Sequence, residues 1–515
     1  MCRLVFVLLF IHFHRTRVKN MFYHAYNGYL QYAYPFDELK PISCKGMDTW
    51  GSFALTLVDS LDTLVVLGNM SEFRRVSELV LSKIDVNANV NVSVFETNIR
   101  VIGGLLSAHM LSKMGGLTVE DGWPCSGPFL RLAERLAWKL LPAFNTDTGM
   151  PYGTINLRYG VHRKETPVTC TAGVGTFLLE FGALSRLTGN DFFEKIALKA
   201  LEELWLHRSN LGMVGNHIDV KTGQWTAVDS GIGAGVDSYF EYLVKGGALF
   251  SHVRLLKQFK AYKAVIDKYM KHDDWFFWVS SYSGKVSMPV FQSLEAFWPG
   301  LLTLVGNIEE ARRIMVNYYS VLRNYGFLPE FFNIPQMDPV HKRSGYPLRP
   351  GNLVYLYRAT EDPLLLQIGA EMIEAIDHAT KAKCGYATVH NVATHSLEDR
   401  MESFFLAETT KYLYLLFDPD NFLHNSGEEG TMISGPFGNC VINSGGYVYN
   451  TEAHPLDPSI LYCCSSKRQK EFQTLAYLED KLDVISLLDI RNEPTVKHPV
   501  ETEAFQVLTT VKNDK

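Results

Sequence analysis

The chain has 515 residues, of which 47% are hydrophobic and 20% charged, with a formal net charge of -6. That apolar fraction supports a large buried core and excludes an intrinsically disordered chain. Its Lys and Arg residues are spread along the sequence rather than gathered in a stripe, which argues against a phosphate-tracking surface and against nucleic acid as a partner.

Arg3 precedes a short apolar run, Leu4 to Phe13, interrupted only at His12. A membrane span needs about 20 apolar residues, so the run fits the hydrophobic stretch of a signal peptide better. Residues 1–19 are therefore assigned to a signal peptide or an atypical N-terminus, since His14, Arg15, Thr16 and Arg17 stand where a small-residue cleavage site is usual. No membrane span is expected beyond this segment. Two sequons, at Asn69 and Asn91, agree with entry into the secretory lumen, where both are candidate glycosylation sites. The eight cysteines show no paired C-x-x-C spacing, which argues against a zinc ribbon or a thioredoxin-type site. One or two disulfides are expected. If Cys2 is removed with a signal, an odd number remains and at least one thiol is left for a partner.

Residues 20–460 contain no low-complexity linker, long charge run or Pro/Ser-rich hinge, so they are expected to form one architecture, followed by a C-terminal extension over 461–515. A unit recurs in which an amphipathic stretch is followed by a Gly turn and a short alternating segment. Examples begin at Thr148-Gly149, Leu211-Gly212, Tyr325-Gly326 and Cys384-Gly385. A spacing of about 60 residues is the length of two helices of 15 to 20 residues with their loops. Apolar residues at Ile99, Ile102, Leu106 and Met110, and at Phe405, Tyr412, Leu413 and Leu416, keep helical spacing. Because alternate loops are rich in Gly and aromatic residues, as if converging on one functional face, the hairpins are expected to close into an all-α toroid. Short β-hairpins would lie in the loops at that face.

Acidic residues recur where inner helices would begin. Glu96 stands one turn before an apolar stripe, Asp237 opens Asp237-Ser238-Tyr239-Phe240 after a Gly-rich loop, Glu330 ends a turn, and Glu402 opens Glu402-Ser403-Phe404-Phe405. Singly, each is an ordinary N-cap or first-turn acid. Gathered in one cavity, they raise one another's pKa, as acid catalysis at neutral pH requires, and they suit a hard cation such as calcium. Phe291, Phe297, Trp298 and Phe404 are aromatic candidates for stacking on sugar faces, although such residues are more often core.

Five ordered motifs, Phe95-Glu96-Thr97-Asn98-Ile99-Arg100, Asp237-Ser238-Tyr239-Phe240-Glu241-Tyr242-Leu243, Tyr346-Pro347-Leu348-Arg349-Pro350, Glu402-Ser403-Phe404-Phe405-Leu406-Ala407-Glu408-Thr409 and Asn450-Thr451-Glu452-Ala453-His454-Pro455, resemble glycoside hydrolase family 47, and most of all its ER degradation-enhancing α-mannosidase-like branch. The resemblance implies an (α/α)7 barrel in the endoplasmic reticulum lumen. It also implies a calcium-dependent, inverting α1,2-mannosidase that trims high-mannose N-glycans on misfolded glycoproteins, with a disulfide oxidoreductase as a further partner. Glu96, Asp237 and Glu330 would be the catalytic acids, Arg100, Arg349 and Glu402 would bind substrate, and Thr451 would ligate Ca2+. In one place the sequence departs from the family. Pro350 is followed by Gly351-Asn352-Leu353-Val354 where the family has Glu, its usual general base, and the segment is about three residues shorter than the family pattern. A mannose-glycan-binding escort of the same fold is the rival that this departure motivates; a helical-repeat interaction scaffold is the rival from periodicity alone.

Overall fold

The computed structural model describes residues 2–349 and 353–464. Gly351, where the family base is missing, and all but the first few residues of the expected C-terminal extension lie outside the described residues.

Among the described residues, helices pair seven times. Leu55–Val66 packs on Met70–Lys83, Gly103–Leu111 on Pro128–Leu140, Leu178–Thr188 on Phe192–Leu206, and Asp237–Leu249 on Val253–Tyr269. Trp298–Leu304 follows with Ile308–Tyr325, and Leu353–Thr360 with Pro363–Ala379; the last inner helix, Thr410–Leu416, packs on the first helix of the chain, Cys2–Tyr32. The first member of each successive hairpin also touches the next, and the turn leading into Thr410–Leu416 touches Leu55–Val66, so the ring closes. This is the expected α/α toroid.

Inner and outer helices are distinguished by composition. Leu55–Val66 is buried at every position, Asp59 and Asp62 included. Met70–Lys83 buries only Phe73, Val76, Ser77 and Val80, a single stripe at helical spacing, as a helix facing solvent on its far side must. Local chemistry sets the ends: Asn69 caps Met70–Lys83 by accepting from the Glu72 N–H at 3.2 Å, and Gly326 ends Ile308–Tyr325 at φ 76°, in the left-handed region that favours glycine.

The strands are short and antiparallel, in sheets of two or three. Asn91–Ser93 pairs with Thr154–Asn156, placing Val92 opposite Ile155, and Val168–Cys170 pairs with His217–Asp219. In each pair the second strand follows a Gly turn anticipated from the sequence, but the partners come from different loops with helices between them, so these two pairs are not hairpins.

No break marks residue 19. The helix Cys2–Tyr32 runs through it, with Val18 and Phe22 in the core, Arg15 Nη1 2.7 Å from Asp418 Oδ1, and Lys19 Nζ 3.1 Å from the Leu67 carbonyl. Among the described residues no helix is long and apolar enough to cross a membrane. At the other end the compact body reaches Cys464 rather than 460, with Leu461 buried. Three disulfides, not one or two, are present among the described residues: Cys44–Cys384, Cys125–Cys464 and Cys440–Cys463. Scattered cysteines that lack a local spacing pattern gave no hint of these pairings, because two of the bonds join residues more than 300 positions apart.

Candidate active site

Two inner helices begin with a π turn, Thr97–Ile102 and Phe405–Thr409. A π turn widens the helix and rotates the side chains that follow, a distortion common at functional sites. The first carries Asn98 and Arg100, the second Glu408. Glu96 precedes the first, its N–H donating to Ser93 Oγ at 3.2 Å.

A cavity within the ring is lined by Asp237, Glu241, Glu408, Arg349, Phe297 and Thr451, among others. Asp237 is the first residue of its helix; its N–H donates to the Gly233 carbonyl at 2.9 Å, and its carboxylate lines the cavity while accepting from the Ser238 N–H. Burial pushes Asp237 up to about 7, with Arg349 opposing and Glu241 reinforcing the shift. Burial likewise pushes Glu408 up to about 7 against the pull of Arg349 and Arg100. Glu241 is ion-paired with Lys245, whose ammonium also donates to the Tyr449 carbonyl at 2.7 Å.

Arg100 organises the neighbouring carboxylates. Its Nε donates to Glu96 Oε2 at 2.7 Å, and its Nη1 donates to Glu452 Oε1 at 2.7 Å and to Ser403 Oγ at 3.0 Å. The guanidinium also lies 5.4 Å from the Phe404 ring centre, and Arg349 lies 4.5 Å from the same ring. Ser403 is fixed in turn by its N–H donating to Glu38 Oε1 at 3.0 Å. Burial, reinforced by Glu402, raises Glu38 to about 8.

The turn bearing Thr451 is built around Asn450. Asn450 Nδ2 donates to the Ile99 carbonyl and to Glu180 Oε1, both at 2.8 Å, while its Oδ1 accepts from the N–H groups of Glu452 and His454. Lys411 Nζ donates to the Ala453 carbonyl at 2.7 Å, holding a residue at φ 60°. Glu180, also bound by Tyr242 and Asn98, is raised by burial to about 7.

Of the site residues expected from sequence, Asp237, Arg349 and Thr451 line one cavity, and Arg100 and Glu96 form the adjoining network. Glu330 is not among the lining residues. Its half-exposed carboxylate pairs with Arg343, and only its carbonyl reaches the site, accepting from the Ser293 N–H at 3.3 Å. Glu402 does not line the cavity either; it pairs with Arg400 and precedes the π turn instead of opening a helix. Phe291 and Trp298 are fully buried core residues rather than sugar platforms, whereas Phe297 does face the cavity. Asn91 is exposed on its strand, but Asn69 is half-buried, with Nδ2 donating to Tyr23 Oη at 2.8 Å. Cys170 is a free thiol, and burial pushes it up to about 11, which disfavours the thiolate that an exchange partner needs.

Sequence reasoning missed Glu241, Glu408 and Glu452, although all three stand inside the quoted motifs, and it missed the acids of Leu55–Val66. Asp59 and Asp62, three residues apart in an otherwise apolar helix, were the available signal.

Among the described residues no group of three or more His, Cys, Asp or Glu side chains is arranged to hold a metal directly. The donors around Thr451 are nonetheless all oxygen. Acids outnumber bases there, and Glu408 Oε1 is buried without a hydrogen-bond donor among the described residues. That set fits a hard cation held by hydroxyl, carbonyl and water, with carboxylates behind the water.

Residues 21–458 match the sequence profile of glycosyl hydrolase family 47. Over 463 residues the chain is 59% identical to the Homo sapiens ER degradation-enhancing alpha-mannosidase-like protein 2, covering 89% of this chain and 80% of that protein. It is 44% identical to alpha-mannosidase I MNS4 of Arabidopsis thaliana, over 87% of this chain and 70% of the relative. Among solved structures, the alpha-1,2-mannosidase from Trichoderma reesei superposes with a TM-score of 0.74 at 26% identity, covering 86% of this chain and 98% of that one.

Proposed function

Because the chain belongs to glycosyl hydrolase family 47, we propose that it is an inverting, calcium-dependent α1,2-mannosidase of the endoplasmic reticulum lumen. Its substrates are high-mannose N-glycans on misfolded glycoproteins bound for degradation. The observation that supports this reading is the cavity in which Asp237 and Glu408, both raised to about 7, face Arg349 and Thr451.

In this reading Glu96, held by Arg100, delivers a proton to the departing glycosidic oxygen, while a carboxylate on the opposite sugar face takes a proton from the attacking water. Arg349 and Phe297 orient the sugar ring and exclude bulk water. Thr451 would hold calcium, presented by the Asn450 turn, with Glu408 and Glu452 behind it. Bound calcium would supply positive charge that fixes sugar hydroxyls and water. Asn91 is proposed as a glycosylated position. A scaffold role leaves these gathered acids without a purpose.

A second reading is favoured by one observation, Gly351, which has no side chain to accept a proton. It makes the chain a glycan-binding escort without turnover. Incubating purified protein with a Man9 glycan, with and without chelator, separates the two: calcium-dependent release of mannose supports the enzyme, and binding without release supports the escort.

A further inference from the structure

We infer that Asp37 and Glu38 are positioning residues for Arg100: each fixes one of the two segments that hold its guanidinium, and through Arg100 they place Glu96. The catalytic part of this inference rests on the mannosidase reading above. Both carboxylates are fully buried and neither lines the cavity.

Glu38 fixes the segment that carries Ser403. Its Oε1 accepts from the Ser403 N–H at 3.0 Å, Ser403 Oγ accepts from Arg100 Nη1 at 3.0 Å, and Arg100 Nε donates to Glu96 Oε2 at 2.7 Å. Three hydrogen bonds thus lead from the strand Glu38–Lys40 to the proton donor. The backbone sets the register, because the Met401 N–H donates to the Leu39 carbonyl at 3.2 Å and brings Glu38 beside Glu402 and Ser403. The Glu38 carboxyl also meets that of Glu402, and two buried acids in contact stay together by sharing a proton.

Asp37 fixes the segment that carries Trp50. Six backbone N–H groups converge on its carboxylate. Those of Thr49, Trp50, Gly51 and Ser52 donate to Oδ2, and those of Phe53 and Leu55 donate to Oδ1, the shortest being Phe53 at 2.7 Å. Ser52 and Ala54 stand at φ 60° and φ 57°, a left-handed conformation that such residues keep only where their surroundings over-determine it. The loop held in this way presents the Trp50 ring 5.5 Å from the Arg100 guanidinium, and Phe404, next to Ser403, presents its ring at 5.4 Å. Arg100 therefore has one aromatic contact on the Asp37 side and one on the Glu38 side. A proton donor must be placed to within a fraction of an ångström of the departing oxygen, and a long arginine holds Glu96 there only if it is itself held.

The test uses the full chain with calcium and a Man9 glycan. Glu38→Ala is expected to lower kcat by about 10²-fold. Glu38→Gln keeps an oxygen for the Ser403 N–H and offers an amide donor to Glu402, so it is expected to restore most of that loss. In an Arg100→Lys background Glu38→Ala is expected to add no further loss, because its effect passes through Arg100. Independently of turnover, butanedione labelling followed by peptide mass spectrometry should find Arg100 protected in the parent and in Glu38→Gln but modified in Glu38→Ala. Trp50→Leu leaves Glu38 in place and should also expose Arg100 to the reagent, which carries the test if Glu38→Ala does not fold. Unchanged Arg100 labelling in a folded variant, a Glu38→Gln as impaired as Glu38→Ala, or additive losses with Arg100→Lys overturn the proposal. A parent chain that releases no mannose ends the mannosidase reading, and Arg100 labelling still decides whether Asp37 and Glu38 hold the guanidinium.

Discussion

Lys411 Nζ lies 2.7 Å from Asp62 Oδ1, and neither side chain is exposed to solvent. His454 Nδ1 meets the other Asp62 oxygen at 2.7 Å, so one carboxylate ties two inner helices to the loop that carries Thr451. Burial alone would raise Asp62, but Lys411 and His454 outweigh it and hold it down at about 2. Breaking a buried pair from one side costs about 3–5 kcal/mol, because the remaining charge is stranded. Lys411→Met should show that loss in urea unfolding. Adding Asp62→Asn should recover part of it, and a double variant no better than the single would refute the pairing.

Stability should fall as pH rises from 5 to 7. Burial raises Glu38 to about 8 and Glu180, Asp237 and Glu408 to about 7, so in this window the folded state holds protons on these carboxyls that the unfolded state has released. His14, His109, His217 and His424 are all lowered by burial and act in the opposite direction, but the raised carboxyls, with Glu295, Glu452 and Asp457 also pushed up by burial, outnumber them. Calorimetry on chelated protein should find a lower melting temperature at pH 7 than at pH 5, and calcium should narrow the difference. A flat or rising profile would contradict the buried-acid account.

Asn450→Ala removes four hydrogen bonds around the Thr451 turn. Each buried group left unpaired costs about 1–3 kcal/mol. If the turn presents a cation ligand, half-maximal calcium should also rise by about tenfold or more, as when other supporting groups behind a metal ligand are removed. Calcium titration of mannose release reads this directly; an unchanged midpoint would separate Asn450 from the cation.

Gly28 should not tolerate alanine. An added Cβ would stand 1.7 Å from the Cys384 carbonyl oxygen, which is backbone and cannot swing aside. Alanine gains about 1 kcal/mol of helix propensity over glycine, but overpacking typically costs about 1–3 kcal/mol and a backbone overlap lies at the upper end. Gly28→Ala should therefore lower the melting temperature. The same change at Gly68, where an added Cβ would meet nothing within 4 Å but the backbone sits at φ 78°, should cost only its conformational strain.

The ring was legible in the sequence because hairpin length and full-face burial both leave marks: Leu55–Val66 carries no charge besides the buried Asp59 and Asp62, and Met70–Lys83 carries one apolar stripe. Asp237 and Thr451, singled out by their motifs, line one cavity. Glu330 and Glu402 pair with Arg343 and Arg400 rather than lining this cavity, and a carboxylate near a turn looks the same in sequence whether it faces a cavity or an arginine. Glu408 was hidden for a different reason. It sits inside a π turn, and the extra residue there shifts the face that a regular 3.6-residue helix would predict.

The pairing of Cys2–Tyr32 with Thr410–Leu416 means that the ring is sealed by segments nearly 400 positions apart, and Cys44–Cys384 clamps a neighbouring part of the same seam. A chain emerging from the ribosome can set its first helix against Leu67, Asn69 and Glu72 early, but the face it turns to Thr410–Leu416 stays uncovered until almost the whole barrel has been made. That face waits through most of the barrel's synthesis for its partner. Closure of the ring is thus delayed until the last inner helix, Thr410–Leu416, has been made.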